Sequence, residues 1–264
     1  MAEQHQLILI DHDGTLCQTN NMAFDSIKYA AKVACGGELL LSEADWDSIF
    51  SETAGTTEKN FVHNIALKTN FSISDIKKFE QDFYKARVNW YKSMRAHGEF
   101  ILDTYYPDME NLILAAFEKE NFHLMLVTGN PLAVMEERLS NHLRKYFVDE
   151  KDSLLGAFGE ETTKHSELIS KSITKATKAF PGFEPIKGDL GFCENVTYIG
   201  DSKHDFVAGL DGKVKTIWIP SRNLYVTKEL RSEPYLQVFL KLLDKYTMIT
   251  NDIFSPETLR FIGL

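Results

Sequence analysis

Three short apolar runs along the chain each end in polar residues. They read LILIDHDGTL over residues 7–16, HLMLVTGN over 123–130 and VTYIGDSKHD over 196–205. Continuous apolar runs of this length are typical of strands buried in a parallel sheet. Because ligands collect beyond the carboxyl ends of such strands, we expect the polar residues after the three runs to form one site.

Between the first and second runs the apolar period becomes that of helices. Apolar residues recur at three- and four-residue steps over 74–94, and 21–35 and 57–67 have similar spacing. After residue 103 helices and strands alternate, which predicts parallel strands with right-handed crossovers. These predicted elements are helices over 107–120, 131–142 and 167–180, strands over 196–199 and 214–219, and a terminal helix over 233–246.

Composition narrows the class of protein. The 264 residues are 44% apolar and 25% charged, which is typical of a globular protein with one large domain or a core plus an insertion. No apolar run approaches the ~20 residues that cross a bilayer, and the first residues, MAEQHQ, lack a secretory pattern. The net charge of −9 argues against nucleic-acid binding. Three widely spaced cysteines predict neither disulfides nor a metal cluster, so we expect a cytoplasmic protein.

Asp11 and Asp13 follow the first run and precede a turn at Gly14 and Thr15. Two neighbouring carboxylates are unfavourable without a cation or a shared proton. A tight turn can direct backbone N–H groups toward an anion. The segment therefore predicts that a cation and an anion bind together.

The second and third runs end in matching chemistry. Thr128 and Gly129 precede Asn130, a predicted helix cap, and a hydroxyl and an N–H beside a helix N-terminus suit a phosphate oxygen. Asp201 and Asp205 are four residues apart and would share one face of a helix.

In this order the three segments resemble the D-x-D-G-T-L, threonine and G-D-x-x-x-D motifs of the haloacid dehalogenase-like hydrolases, most of which are magnesium-dependent phosphatases. The resemblance implies an α/β fold with a Rossmann-like parallel sheet core and the Asp11 strand at its centre. It also implies an inserted α-helical cap domain, as in the phosphoglycolate phosphatase-like group. The core would comprise residues 1–18 and 100–264, and the cap residues 19–99.

The resemblance also implies roles for the aspartates. Asp11 would attack phosphorus to form an aspartyl-phosphate, and Asp13 would protonate the leaving oxygen and then activate water. Asp11, Asp201 and the backbone carbonyl of Asp13 would hold Mg²⁺. Asp13 favours a phosphatase over a dehalogenase, because a halide leaves without a proton. Asp205 would bind the metal through water, fix a nearby lysine or only support the loop.

Further residues are expected to contact the substrate. Thr128 and the N–H of Gly129 would hold the phosphoryl group, together with Gly14 and Asn130. Thr56 lies in a polar turn before a helix, and family members place such a loop of the cap over the active site. The same turn also fits an ordinary helix cap.

The family's cation is less clear, because the usual lysine–proline dipeptide is absent. Residues 156–169 resemble a variant in which an arginine precedes a helix. In that register His165 occupies the arginine position and Lys164 is adjacent. Lys164 is our first candidate, His165 the second and Lys187 a remote third.

Two residues near the first motif are expected to be structural. Strand alternation should point His12 away from Asp11 and Asp13, and Cys17 should only fill space. The sequence thus predicts a magnesium-dependent phosphatase, monomeric or homodimeric, that acts on a small phosphorylated metabolite. The alternatives are a sugar-phosphate mutase of the same superfamily and a binding module with a degraded site.

Overall fold

A parallel sheet forms the centre of the computed structural model, which describes residues 4–18, 21–37, 41–53, 56–69, 73–97, 103–220 and 245–264. Its strands are β1 (Gln6–Ile10), β2 (Phe122–Thr128), β3 (Gly156–Phe158), β4 (Cys193–Gly200), β5 (Val214–Trp218) and β6 (Thr247–Ile249). They lie in the order β3-β2-β1-β4-β5-β6, and each neighbouring pair is parallel. The predicted α/β fold, with the Asp11 strand between the Thr128 and Asp201 strands, is confirmed.

Helices cover both faces of this sheet. The described helices are α1 (Asn21–Ala34), α2 (Glu43–Thr53), α3 (Glu58–Lys68), α4 (Ile73–Ala96), α5 (Pro107–Phe117), α6 (Leu132–Arg138), α7 (Asn141–Arg144), α8 (His165–Ala179), α9 (Lys203–Asp211) and α10 (Pro256–Ile262). Alternate residues of β1 face opposite ways. Ile8 and Ile10 pack with α5 and α6, whereas Leu7 and Leu9 pack with α8 and α9. The continuous apolar run of β1 follows from this two-sided burial.

Helices α1 to α4 pack around an apolar cluster of their own, which includes Trp46, Phe61 and Phe83. The chain enters and leaves this four-helix segment through two adjacent connections. Gln18 N donates to Thr104 O at 2.8 Å, and Tyr106 N donates to Leu16 O at 3.1 Å. The two chain connections between the segment and the core therefore lie side by side. Its division from the core at residues 19–99 stays a prediction.

Several elements depart from the sequence prediction. The periodicity missed α2, α10 and the three-residue strands β3 and β6, which are too short to show a period. The helix predicted over 131–142 is two helices, because Leu139 is extended and turns into the core. The helix predicted over 233–246 falls largely outside the described residues. Among the described residues, no helix is both long and apolar enough to span a membrane.

We expect the core side of α5 to contribute far more to stability than its exposed side. Leu112 is fully buried, whereas Leu114 on the same helix is 45% exposed. Leu112→Ala should lower the free energy of unfolding by about 2 to 5 kcal/mol, because it removes buried surface and leaves a cavity. Leu114→Ala, with the same change in helix propensity, should alter it by less than about 0.5 kcal/mol. Urea unfolding measures both, and equal losses would contradict the packing.

Candidate active site

The three predicted motifs meet at the carboxyl edge of the sheet. Asp11 follows β1, Thr128 ends β2 and Asp201 follows β4, and β1 lies between the other two strands. The backbone N–H of Asp11 donates to Ile199 O at 3.0 Å, so the β1 loop continues along β4 beyond the strand itself.

The first and third loops fit closely at Gly14. This residue has φ of +85°, and a β-carbon there would collide with the Asp201 carboxylate, so only glycine suits the position. Thr15 Oγ1 donates to Asp201 Oδ1 at 3.1 Å, and Trp218 Nε1 donates to the Asp201 carbonyl at 2.8 Å. These contacts hold the Asp201 side chain against the Asp11 loop.

Asp11, Asp201 and Asp205 form a buried acidic cluster, with exposures of 6%, 5% and 1%. Burial raises the pKa of Asp11 well above its ordinary value, and Asp205 and Asp201 raise it further. Burial and then Asp205 raise the pKa of Asp201 in the same way. Among the described residues, no lysine or arginine forms an ion pair with Asp11 or Asp201. Carboxylate oxygens that lack a counterion fit Mg²⁺.

Asp205 supports this cluster through other side chains. Its Oδ2 accepts hydrogen bonds from Ser202 N and Oγ at 2.9 and 2.5 Å, which closes a capping box at the start of α9. Its Oδ1 accepts the Tyr198 hydroxyl at 2.5 Å. Both oxygens are therefore engaged in orienting the loop, in agreement with the supporting role.

His165, and not Lys164, lies at the cluster. His165 Nε2 is 2.9 Å from the Tyr198 hydroxyl and 3.5 Å from Asp205 Oδ1, and the side chain is almost fully buried. Its ligating nitrogen and the carboxylate oxygens of Asp11 and Asp205 lie within 4.8 Å of one another. His165, the second candidate for the cation, therefore places its imidazole beside the acidic cluster.

The first candidate for the cation lies away from the acidic cluster. Lys164 is the extended N-cap residue of α8, so the chain turns His165 inward while the Lys164 side chain is 74% exposed and 4.0 Å from Glu167. Lys187 also lies away from the cluster. Its ammonium contacts Cys193 Sγ at 3.2 Å, at the start of β4, whereas Asp201 follows the opposite end of that strand.

Thr128 and Asn130 act together at the end of β2. Thr128 Oγ1 accepts hydrogen bonds from Asn130 N at 3.2 Å and Nδ2 at 3.1 Å. The expectation that Asn130 caps the next helix is wrong, because Pro131 is the N-cap residue of α6 and the Glu160 carboxylate accepts the Leu132 N–H. The Asn130 amide is free to donate to Asp13 Oδ2 at 2.5 Å.

Asp13 is held by an arginine that the sequence analysis missed. Arg138 Nη2 donates to Asp13 Oδ1 at 2.6 Å and Nη1 donates to Oδ2 at 3.0 Å, and the same guanidinium binds Asp103. Burial acts to raise the pKa of Asp13, but Arg138 and His12 together hold that pKa well below its ordinary value. Asp13 is therefore a carboxylate at neutral pH.

A sequence signal for Arg138 exists. The buried residues of α6 are Val134, Met135 and Arg138, so a charged residue occupies a position on the apolar face of an amphipathic helix. Arginine is almost never fully buried unless it is paired. Such a position predicts acidic partners in the core, although it does not say which.

His12 does not point away from Asp13, as the alternation rule suggested. Strand β1 ends at Ile10, so the rule no longer applies at His12, whose buried ring lies 3.7 Å from both Asp13 Oδ1 and Asp103 Oδ2. Cys17 is buried beside this ring, and burial raises its pKa well above the ordinary value. A thiol in this state is a poor nucleophile, which agrees with its expected structural role.

The four-helix segment reaches the site at Gly129. Glu58 N donates to Gly129 O at 2.8 Å, and a β-carbon on Gly129 would collide with the Thr56 carbonyl. Thr57 caps α3 by accepting the Asn60 N–H at 3.4 Å. The polar turn at Thr56 is therefore both a helix cap and a neighbour of the predicted phosphate loop.

Solved structures share this arrangement of sheet and helices. CbbY from Rhodobacter sphaeroides, in complex with xylulose-1,5-bisphosphate, aligns over 99% of this chain and 100% of its own, with 14% identity and a TM-score of 0.62. The chain has the haloacid dehalogenase-like fold. An Entamoeba histolytica HAD hydrolase aligns over 98% of this chain and 100% of its own, with 17% identity and a TM-score of 0.61. β-Phosphoglucomutase from Clostridium difficile aligns over 97% of this chain and 96% of its own, with 12% identity and a TM-score of 0.59.

No family model matches the sequence, and no curated protein matches it. At these identities the likeness to solved structures establishes the fold alone. The chemistry of the site therefore has to be argued from its own residues.

We expect the acidic cluster to destabilise the metal-free protein at neutral pH. Because the pKa values of Asp11 and Asp201 are raised, the folded state binds protons that the unfolded state has lost. The free energy of unfolding should thus fall as pH rises above the ordinary carboxyl range. Asp201→Asn removes one charge, so this variant should be more stable than wild type at pH 7 in chelator, and the gain should shrink toward pH 4.

Urea unfolding across pH measures this difference. Asp211→Asn, at an exposed position of α9, is the matched control and should leave the pH profile unchanged. A less stable Asp201→Asn protein at pH 7 would show that Asp201 is stabilised by its surroundings.

Proposed function

We propose that the chain is a magnesium-dependent phosphatase of the haloacid dehalogenase-like superfamily that hydrolyses a small phosphomonoester. The observation that carries the proposal is the buried cluster of Asp11, Asp201 and Asp205, without a described basic counterion, with Thr128 at the end of the strand next to β1. The xylulose bisphosphate complex of CbbY supports a phosphorylated small molecule as substrate. Hydrolysis of a phosphoglycolate-like substrate is a narrower form of this proposal, and sugar-phosphate mutase activity is the alternative for the same site.

The cluster supports a single divalent cation. Asp11 and Asp201 would hold it with their carboxylates, and Asp13 with its backbone carbonyl, since the Asp13 side chain is engaged by Arg138. Bound there, Mg²⁺ supplies the positive charge that offsets the phosphoryl oxygens and the carboxylates. The hard oxygen donors favour Mg²⁺ over softer metals.

The chain's own residues account for the two chemical steps. In the first, an Asp11 oxygen bonds to phosphorus and the ester P–O bond breaks. The leaving oxygen keeps the bonding electrons and takes a proton from Asp13 when Asp13 is protonated, and otherwise from water. In the second, water attacks the aspartyl-phosphate, Asp13 takes its proton, and phosphate and Asp11 are released. Asp13 is a carboxylate at neutral pH, which is the form that the second step needs. The first step should therefore be fastest with leaving groups that depart without a proton.

Thr128, Gly129 and Asn130 would hold the phosphoryl oxygens, and Gly14 would let the first loop approach the Asp201 carboxylate closely beside them. The four-helix segment would act as a cap. Its Thr56 turn lies against Gly129, so a substrate bound at Thr128 would meet that turn with its non-reacting end. Side chains of the cap would then set specificity.

Phosphate release from p-nitrophenyl phosphate tests the function directly. We expect hydrolysis that needs Mg²⁺ and stops in excess chelator, because the anionic ester must approach buried carboxylates. Asp11→Asn should abolish turnover, since an amide does not form the acyl phosphate, and Asp211→Asn should retain it. Full activity in excess chelator would contradict the metal-dependent mechanism.

A panel of phosphorylated metabolites then separates the alternatives. Free phosphate indicates a hydrolase, and an isomerised sugar phosphate indicates a mutase. A wild-type protein that is inert with Mg²⁺ over the whole panel would favour the binding module.

Because His165 lies at the cluster and Lys164 is exposed, we expect the variant at His165 to lose more activity than the variant at Lys164. His165→Ala should reduce turnover on the order of 100-fold, as expected when one preorganised polar group beside the reacting atoms is removed. Lys164→Ala, the adjacent control, should retain near-normal kcat because its side chain is exposed. The reverse result would restore Lys164 as the cation.

A further inference from the structure

Arg138 has an unusual set of contacts for a residue at the end of a short helix. Its side chain is 2% exposed, and its guanidinium makes five hydrogen bonds. Two go to Asp13, at 2.6 and 3.0 Å, and two go to Asp103, at 3.0 and 3.1 Å. The fifth goes to Asn130 Oδ1 at 3.3 Å. A fork of this kind fixes the plane of a carboxylate as well as its position.

The two carboxylates bound by Arg138 differ in their surroundings. The Asp103 side chain is 5% exposed, whereas the Asp13 side chain is 27% exposed. One buried carboxylate would be enough to balance one buried cation. Arg138 nevertheless binds a second carboxylate, so it connects Asp103 in the core with Asp13 at the proposed reaction centre.

Asp13 is restrained from a second direction by Asn130. The Asn130 amide donates both to Asp13 Oδ2 and to Thr128 Oγ1, at 2.5 and 3.1 Å. Arg138 binds the carbonyl oxygen of the same amide. Arg138 and Asn130 therefore hold Asp13 at a set place relative to the Thr128 hydroxyl.

Asp103 connects this arrangement to the base of the four-helix segment. It precedes Thr104, whose carbonyl accepts the Gln18 N–H at the point where the two connections pair. Asp13 lies at the other connection, a few residues before Gln18. By binding both Asp13 and Asp103, Arg138 links the two connections between the core and the four-helix segment.

We propose that Arg138 is a positioning residue for Asp13, anchored by Asp103, which keeps the Asp13 carboxylate directed at the phosphoryl site. The proposal rests on the proposed phosphatase function. It assigns Arg138 to the second chemical step, in which the Asp13 carboxylate takes a proton from the attacking water.

Rapid-mixing kinetics with p-nitrophenyl phosphate and Mg²⁺ test the assignment. Nitrophenolate leaves in the first step without a proton, so this step does not depend on how Asp13 is held. Arg138→Met should therefore release about one nitrophenolate per protein in a burst at the wild-type rate. Steady turnover should then be about 10- to 100-fold slower than wild type, a loss typical of removing an outer partner of a reacting group.

Asp13→Asn is the reference variant and should show the same burst. The double variant should be no slower than Asp13→Asn alone, because Arg138 acts through Asp13. Arg138→Lys, which keeps the charge but not the fork, should recover part of the steady rate. Arg144→Met is the matched control, since Arg144 also contacts two carboxylates, Glu136 and Asp152, away from the site. It should behave as wild type.

The outcomes separate the inference from the proposed function. A burst in Asp13→Asn but none in Arg138→Met, with both steps slowed alike, makes Arg138 merely structural and overturns the inference. If wild type hydrolyses the ester and Asp13→Asn turns over at the wild-type steady rate without a burst, Asp13 takes no part in the second step, and the inference is overturned while the function stands. No metal-dependent hydrolysis by wild type overturns the function and the inference together. If Arg138→Met does not fold, the same measurement of the nitrophenolate burst and the steady rate is made on Arg138→Lys and Asp103→Asn.

Discussion

Burial of several carboxylates at one edge of a parallel sheet is the constraint on which the rest of this structure depends. Asp11, Asp201 and Asp205 lie where β1 and β4 end, and burial raises the pKa values of the first two. Carboxylates so placed are unfavourable on their own and favourable around a cation. The tight turn at Gly14, the Thr15 hydrogen bond and the capping box of α9 all hold them in place.

Asp13, the fourth aspartate of the site, has a pKa shifted in the opposite direction. Arg138 and Asn130 hold Asp13 as a carboxylate, whereas Asp11 and Asp201 lack a described basic partner. Acidic groups with opposite pKa shifts are a common mark of divided roles in catalysis. The cluster suits a nucleophile and a metal, and the paired carboxylate suits a base. Both environments come from residues on the loops after parallel strands and on the helices that follow them.

The four-helix segment and the core meet through backbone contacts at Gly129 and a side-chain contact at the far end of α4. Arg95 on α4 forms an ion pair with Glu137 on α6, at 3.1 Å. Glu137 precedes Arg138, so one helix contacts both the four-helix segment and Asp13. Substrate selection by the cap and orientation of Asp13 would therefore share a structural element.

The sequence alone determined the class of fold and predicted most of the residues of the candidate site. Continuous apolar runs predicted strands buried on both faces, and the polar residues after them had to meet because parallel strands end at the same edge. That argument brings Asp11, Thr128 and Asp201 to one edge of the sheet, where the structure also has them, since it depends only on strand direction and order. Helices α1, α3 and α4 were equally clear, because a long amphipathic helix repeats its period several times.

Only the tertiary structure decided which side chains turn inward where regular elements stop. Lys164 and His165 are neighbours in sequence, and the extended N-cap conformation of Lys164 sends one outward and the other to Asp205. His12 lies past the end of β1, where alternation no longer applies. The side chains that hold Asp13 come from 117 and 125 residues further along the chain, at Asn130 and Arg138. Such pairings follow from packing in three dimensions, and no local period in the sequence encodes them.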